Sequence, residues 1–173
     1  MNTLRLFLFL LGIFILFFTA CHAQTRKTNN KLYDALLKKL LANPDAALSV
    51  SSLIADSTEY IYVDAREKAE YDISHLPKAI WVGYSDFDLS RLPPNLPKEQ
   101  NILVYCSIGY RSEKITQKLK EAGYQSAYNL YGGIFEWANQ SQTLHNAQGE
   151  PTKRVHAYDR AWGIWLQKGE KVY

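Results

Sequence analysis

Runs of four mostly apolar residues recur along the chain, set apart by stretches of helical periodicity or by turns. They are Tyr60-Ile61-Tyr62-Val63, Ala79-Ile80-Trp81-Val82, Ile102-Leu103-Val104-Tyr105 and Ala127-Tyr128-Asn129-Leu130. Short strands of this kind are buried on both faces, and the helices between them supply the cover. The pattern predicts an α/β fold, a mostly parallel central sheet flanked by helices on both faces. Ligands of such sheets bind beyond the carboxyl ends of the strands, where Asp64 and Cys106 both fall.

The remaining elements follow from spacing. Tyr33, Leu36, Leu37, Leu40 and Leu41 form one apolar stripe, a first helix that ends at Asn43-Pro44. Leu48 to Val50 reads as a short edge strand, with Ser51 capping a helical turn through Leu53 and Ile54. Glu67 to Tyr71 reads as a short helix, and the prolines between Arg91 and Pro97 mark a stiff loop. Ile115, Leu119 and Ala122 line a later helix with Gly123 at its C′ position. Gly132-Gly133 interrupts the chain before a helix holding Ile134, Phe135 and Trp137. Tyr158, Trp162 and Trp165 fall at i, i+4 and i+7, which predicts a short aromatic helix in the extension over residues 141–173.

Residues 1–20 hold one charged side chain, Arg5, and a dense apolar run from Leu6 to Phe18. This is the pattern of an export signal; about 13 to 15 apolar residues fall short of the ~20 that a spanning helix needs. Phe18-Thr19-Ala20-Cys21 resembles a lipobox, with Cys21 the lipidated residue, and Cys21-His22-Ala23 could instead direct release at Gln24. Either outcome puts the mature protein outside the cytoplasm, in the periplasm or anchored to the envelope through lipid. A polar tether and the first helix then occupy residues 21–47. The leader carries no acid, so the mature balance would be 19 basic to 17 acidic residues. No basic cluster is long enough to suggest nucleic acid. His22, His145 and His156 lie too far apart for a metal site, and no cofactor motif occurs.

With Cys21 lipidated or removed, Cys106 is the one thiol left. It opens Cys106-Ser107-Ile108-Gly109-Tyr110-Arg111-Ser112, a turn between a strand and a helix. Backbone N–H groups and the positive end of a helix dipole favour a thiolate at such a place, and the thiolate is the nucleophile. Gly109 lets the loop fold back, and Arg111 adds a fixed positive charge that either orients an anionic donor or braces the loop. The amides from Ser107 to Ser112 would form a bowl for one negatively charged group. Asp64 and Arg66, at a strand end, could pair with each other or with the cysteine loop and read best as a supporting structural ion pair, and His75 reads as a turn histidine.

Three stretches together resemble the rhodanese family of sulfurtransferases. Asp64-Ala65-Arg66-Glu67, Glu70-Tyr71 and His75-Leu76-Pro77-Lys78-Ala79 resemble its upstream motif. The Cys106 loop resembles its active-site loop, and Tyr131-Gly132-Gly133 with Phe135 and Trp137 its closing motif. The resemblance covers residues 48–140 and departs at Ser74 and Lys78, where glycine is common. It implies a rhodanese-like fold and a two-step transfer. Cys106 takes sulfane sulfur from a donor such as thiosulfate or a polysulfide, becomes a persulfide, and yields that sulfur to a thiol or cyanide. Two other readings compete. A cysteine phosphatase has five residues between cysteine and arginine, whereas four stand between Cys106 and Arg111. A non-catalytic or redox-sensing binding module would need no turnover, and no second cysteine is available inside the domain to resolve an oxidised Cys106.

Overall fold

The computed structural model describes residues 28–43 and 47–173. The expected leader, Cys21 and most of the tether lie outside the described residues. Five parallel strands form the central sheet: β1 (Ala47–Leu48), β2 (Ile61–Asp64), β3 (Ile80–Trp81), β4 (Ile102–Tyr105) and β5 (Ala127–Leu130), in the order β1-β5-β4-β2-β3. From β2 the chain runs out to the edge at β3, then returns to the other side of β2 as β4. The strand order therefore reverses between β2 and β4, and the carboxyl ends there are Asp64 and Tyr105. Such a reversal opens a crevice where ligands bind.

β4 is fully buried because its side chains serve two cores. Leu103 and Tyr105 enter one with Tyr33, Leu37, Ile134 and Phe135, while Ile102 and Val104 enter the other with Ile115 and Leu119. Helices α1 (Lys31–Leu40), α2 (Val50–Ala55) and α5 (Gly133–Asn139) therefore pack on one face, and α4 (Tyr110–Glu121) on the other. Helix α3 (Lys68–Ile73) follows β2. Burying each Leu or Ile of β4 contributes about 1.5–3 kcal/mol, so this strand is a rigid mount for the loop that follows it. No helix among the described residues is long and apolar enough to cross a membrane.

Two local expectations are corrected. β1 ends at Leu48, and Ser49 rather than Ser51 caps the next helix, its Oγ accepting from the Ser52 N–H at 3.0 Å. Val50 belongs to that helix and is buried there. The second correction is larger. No α-helix carries Tyr158, Trp162 and Trp165. The extension forms β6 (Leu144–His145) and β7 (Pro151–Thr152), then β8 (Arg154–His156) paired in parallel with β9 (Glu170–Val172), and a 3₁₀ turn over Gly163–Trp165. Tyr158 has φ +66°, outside the helical region, and the Asp159 carboxylate caps the following turn by accepting from the Trp162 N–H at 2.9 Å. The three aromatics face different partners: Trp165 stacks on Tyr33 with ring centroids 5.2 Å apart, Tyr158 lies 5.1 Å from the Arg111 guanidinium, and Trp162 packs on the core.

Candidate active site

Cys106 follows the last residue of β4, and α4 begins four residues later at Tyr110. Gly109 makes the turn possible at φ +110°, a conformation that costs a side-chain-bearing residue about 1–2 kcal/mol. Its N–H donates to Cys106 Sγ at 3.1 Å.

The loop's carbonyls are tied back by donors behind it. The first amides of α5 reach two of them, Ile134 N–H to the Cys106 carbonyl at 2.9 Å and Phe135 N–H to the Ser107 carbonyl at 3.1 Å. The Gly109 carbonyl accepts from Asn129 Nδ2 at 3.0 Å and from the Glu113 N–H at 3.1 Å. A peptide's C=O and N–H point in opposite directions, so fixing these three carbonyls turns the Ser107, Ile108 and Tyr110 amides the other way. Close approach of α5 requires glycine at its first position. A Cβ on Gly133 would lie 2.3 Å from the Cys106 carbonyl oxygen and 2.6 Å from that of Ser107. The preceding Gly132 carbonyl is held by the Tyr33 hydroxyl at 2.9 Å.

Arg111 is a brace. Its Nη1 donates to Glu70 Oε2 at 2.6 Å and its Nη2 to Glu70 Oε1 at 2.8 Å and to Ser107 Oγ at 2.9 Å. The Ser107 hydroxyl in turn donates to Glu70 Oε1 at 3.0 Å. Burial pulls the Arg111 pKa down, but hydrogen bonding to Glu70 and the proximity of Cys106 outweigh it and the net shift is upward. Burial likewise pushes the Glu70 carboxyl up, and the hydrogen bonds and charge of Arg111 reverse that, holding it below its ordinary value. Ser112 faces Asn129, its hydroxyl donating to Oδ1 at 2.6 Å, and so positions the group that holds Gly109.

Asp64 and Arg66 form the expected pair at 2.6 Å with both side chains fully buried. The pair serves the scaffold: Arg66 Nη2 also donates to the Ser74 carbonyl at 2.6 Å, fixing the segment after α3. His75 stacks on Tyr71, and its Nδ1 lies 3.1 Å from the Tyr71 carbonyl oxygen. Glu70 and Asn129 hold the loop in place, and sequence reasoning gave neither a role. Glu70 stood in a quoted motif without a partner, and Asn129 was the one polar residue of an otherwise apolar run.

Cys106 is 1% exposed, yet it lines the wall of a cavity of about 390 Å³ with Ser107, Ile108, Tyr110 and Arg111. Leu40 of α1, Tyr84, Tyr158 and Trp162 complete its lining. Its sulfur is thus reached through the cavity rather than from the open surface.

A parallel sheet ending in a cysteine loop braced by arginine and carboxylate defines a class of protein, and the comparisons name it. Residues 47–140 match the rhodanese-like domain family, and the chain belongs to that family. The BH2092 protein from Bacillus halodurans superimposes with a TM-score of 0.52 at 24% identity, over 68% of this chain and 85% of that one. A tRNA uridine(34) hydroxylase of Pectobacterium carotovorum is 33% identical over 107 residues, 59% of this chain and 29% of that protein. One of Yersinia pestis is 34% identical over 105 residues, 58% of this chain and 28% of that protein. The chain therefore spans less than a third of the length of these curated relatives.

Proposed function

We propose that this chain is a sulfurtransferase that carries sulfane sulfur on Cys106. The observation that supports it best is the loop: the Cys106 thiol, hydrogen-bonded by the Gly109 N–H at 3.1 Å, in a turn whose Cys106, Ser107 and Gly109 carbonyls are all tied back by donors behind it. In the first step the Cys106 thiolate attacks the outer sulfur of the donor. The donor's S–S bond breaks, and the remainder departs with the bonding pair, as sulfite from thiosulfate. The persulfide's terminal sulfur then carries negative charge, which preorganised amides stabilise without reorganising. In the second step a thiol or cyanide attacks that sulfur and Cys106 leaves as the thiolate. Arg111 holds the bowl's shape through Glu70 and Ser107. The partners are a small sulfane donor and a thiol or cyanide acceptor; no long basic cluster occurs in the sequence to favour nucleic acid. The proposed setting, the cell envelope, rests on the leader's sequence alone and is tested by detergent partitioning of wild type against Cys21→Ala.

Incubation with thiosulfate and cyanide should yield thiocyanate in a Cys106-dependent way. Production by wild type and loss in Cys106→Ser supports the proposal. Hydrolysis of an aryl phosphate with no thiocyanate would favour phosphatase chemistry, and a protein partner captured equally by Cys106→Ser would favour a binding module.

A further inference from the structure

Part of the lining of the Cys106 cavity comes from outside the matched family domain. Leu40 lies before residue 47, and Tyr158 and Trp162 lie after residue 140. These flanking segments are fastened to one another and to the domain. Trp165 stacks on Tyr33 at 5.2 Å, Asn139 Nδ2 donates to the Trp165 carbonyl at 2.9 Å, and Asn139 Oδ1 accepts from the Gln167 N–H at 2.7 Å and the Lys168 N–H at 3.1 Å. Tyr158 is held at φ +66° with its N–H donating to His156 Nδ1 at 3.1 Å. A bulky residue kept in the left-handed region costs about 1–2 kcal/mol and persists where its surroundings fix it. Here that conformation sets its ring beside the Arg111 guanidinium at the cavity.

This cavity is poorly matched to a small inorganic dianion. Its volume of about 390 Å³ falls within the ~300–1,000 Å³ of pockets that enclose organic ligands. Among the described residues that line it, Arg111 is the one cation, and its charge is met by two hydrogen bonds to Glu70. Leu40, Ile108 and Trp162 offer apolar surface, while Tyr84, Tyr110 and Tyr158 offer rings. Stripping water from a dianion against such a wall is unfavourable, whereas an uncharged organic body gains from it.

We infer that the donor is an organic persulfide, R–S–SH, whose uncharged aromatic or branched body lies between the Cys106 loop and the wall of Leu40, Tyr158 and Trp162. The inference rests on the sulfurtransferase reading and names its substrate class. The Cys106 thiolate bonds to the outer sulfur as the bond between the two donor sulfurs breaks, and the transferred sulfur then gives its proton to water, leaving the Cys106 persulfide anionic. R–S leaves as the thiolate with the bonding pair, and no oxidant or reductant is consumed.

The test is the single-turnover rate of sulfur loading on the full chain, read by intact mass, with benzyl persulfide and thiosulfate at equal concentration. Wild type should load from benzyl persulfide at least ~10-fold faster, and Tyr158→Gly and Trp162→Ala should each lower the benzyl-to-thiosulfate rate ratio about tenfold. Tyr158→Gly removes the ring while relaxing the backbone, so its loss of preference cannot be assigned to misfolding if its melting temperature is kept. Equal or faster loading from thiosulfate in wild type, or a ratio unchanged in both variants, would overturn the inference and leave the sulfurtransferase reading standing. Absence of any adduct with either donor would overturn that reading itself, and the inference with it.

Discussion

Glu70 and Arg111, 41 residues apart, meet through two parallel hydrogen bonds of 2.6 and 2.8 Å, with Ser107 bonded to both. Glu70 sits on α3 and is 3% exposed, while Arg111 lies in the first turn of α4, so the pair fastens the Cys106 loop to the segment that follows β2. Removing one partner of a buried ion pair strands the other. Glu70→Ala is expected to cost about 3 kcal/mol in urea unfolding. It should also slow sulfur transfer more than tenfold, because the loop loses its brace, an effect of about 1.4 kcal/mol on the barrier. Unchanged transfer in a folded Glu70→Ala protein would show that the loop holds its shape without the pair.

The same pair sets a pH dependence. The folded-state Glu70 carboxyl is held below its ordinary value once the Arg111 contacts outweigh burial. Its contribution to stability is fully present above the unfolded carboxylate value of about 4.3 and is lost as pH falls through the lower folded value. The urea midpoint should therefore fall below pH ~4 more steeply in wild type than in Glu70→Gln. Parallel profiles for the two proteins would contradict this.

Gly133 is the tightest contact between α5 and the loop. Gly133→Ala must displace the Cys106 and Ser107 carbonyls, and the left-handed φ of +56° adds strain. Expected is a loss of about 3 kcal/mol or more, with transfer abolished. Gly149→Ala is the comparison: it shares a positive φ, +78°, but its Cβ would meet nothing within 4 Å, so about 1 kcal/mol is expected. Equal melting temperatures for the two variants would count against the packing argument.

Lys78 stands where glycine is common among rhodaneses, and it adopts φ +59° while exposed. A side chain there is strained with little packing in return. Lys78→Gly should raise stability by ~1 kcal/mol in thermal or urea unfolding. Ser74, the other departure, has φ −168°, extended backbone that any residue adopts, so glycine is not needed there for backbone conformation.

What could be read from the sequence was what neighbouring residues decide together. The run Ile102 to Tyr105, its glycine loop and the helix after it are contiguous, and the structure places them as expected. Glu70 was silent because its partner comes to it only after β3 and β4 have formed. Asn129 was silent because a polar residue in a buried strand announces that it has a partner without saying which. The aromatic spacing in the extension misled for a related reason. Tyr158, Trp162 and Trp165 keep helical intervals, but each answers to a different neighbour, Arg111, the cavity and Tyr33.

The central claim is that Cys106 holds one extra sulfur atom in its loop. Intact mass spectrometry after brief exposure to a sulfane donor reads this directly. The account predicts a gain of one sulfur (~32 Da) on Cys106, removed by cyanide and absent from Cys106→Ser. A folded wild-type protein whose mass stays unchanged with thiosulfate, polysulfide and organic persulfide alike would contradict it.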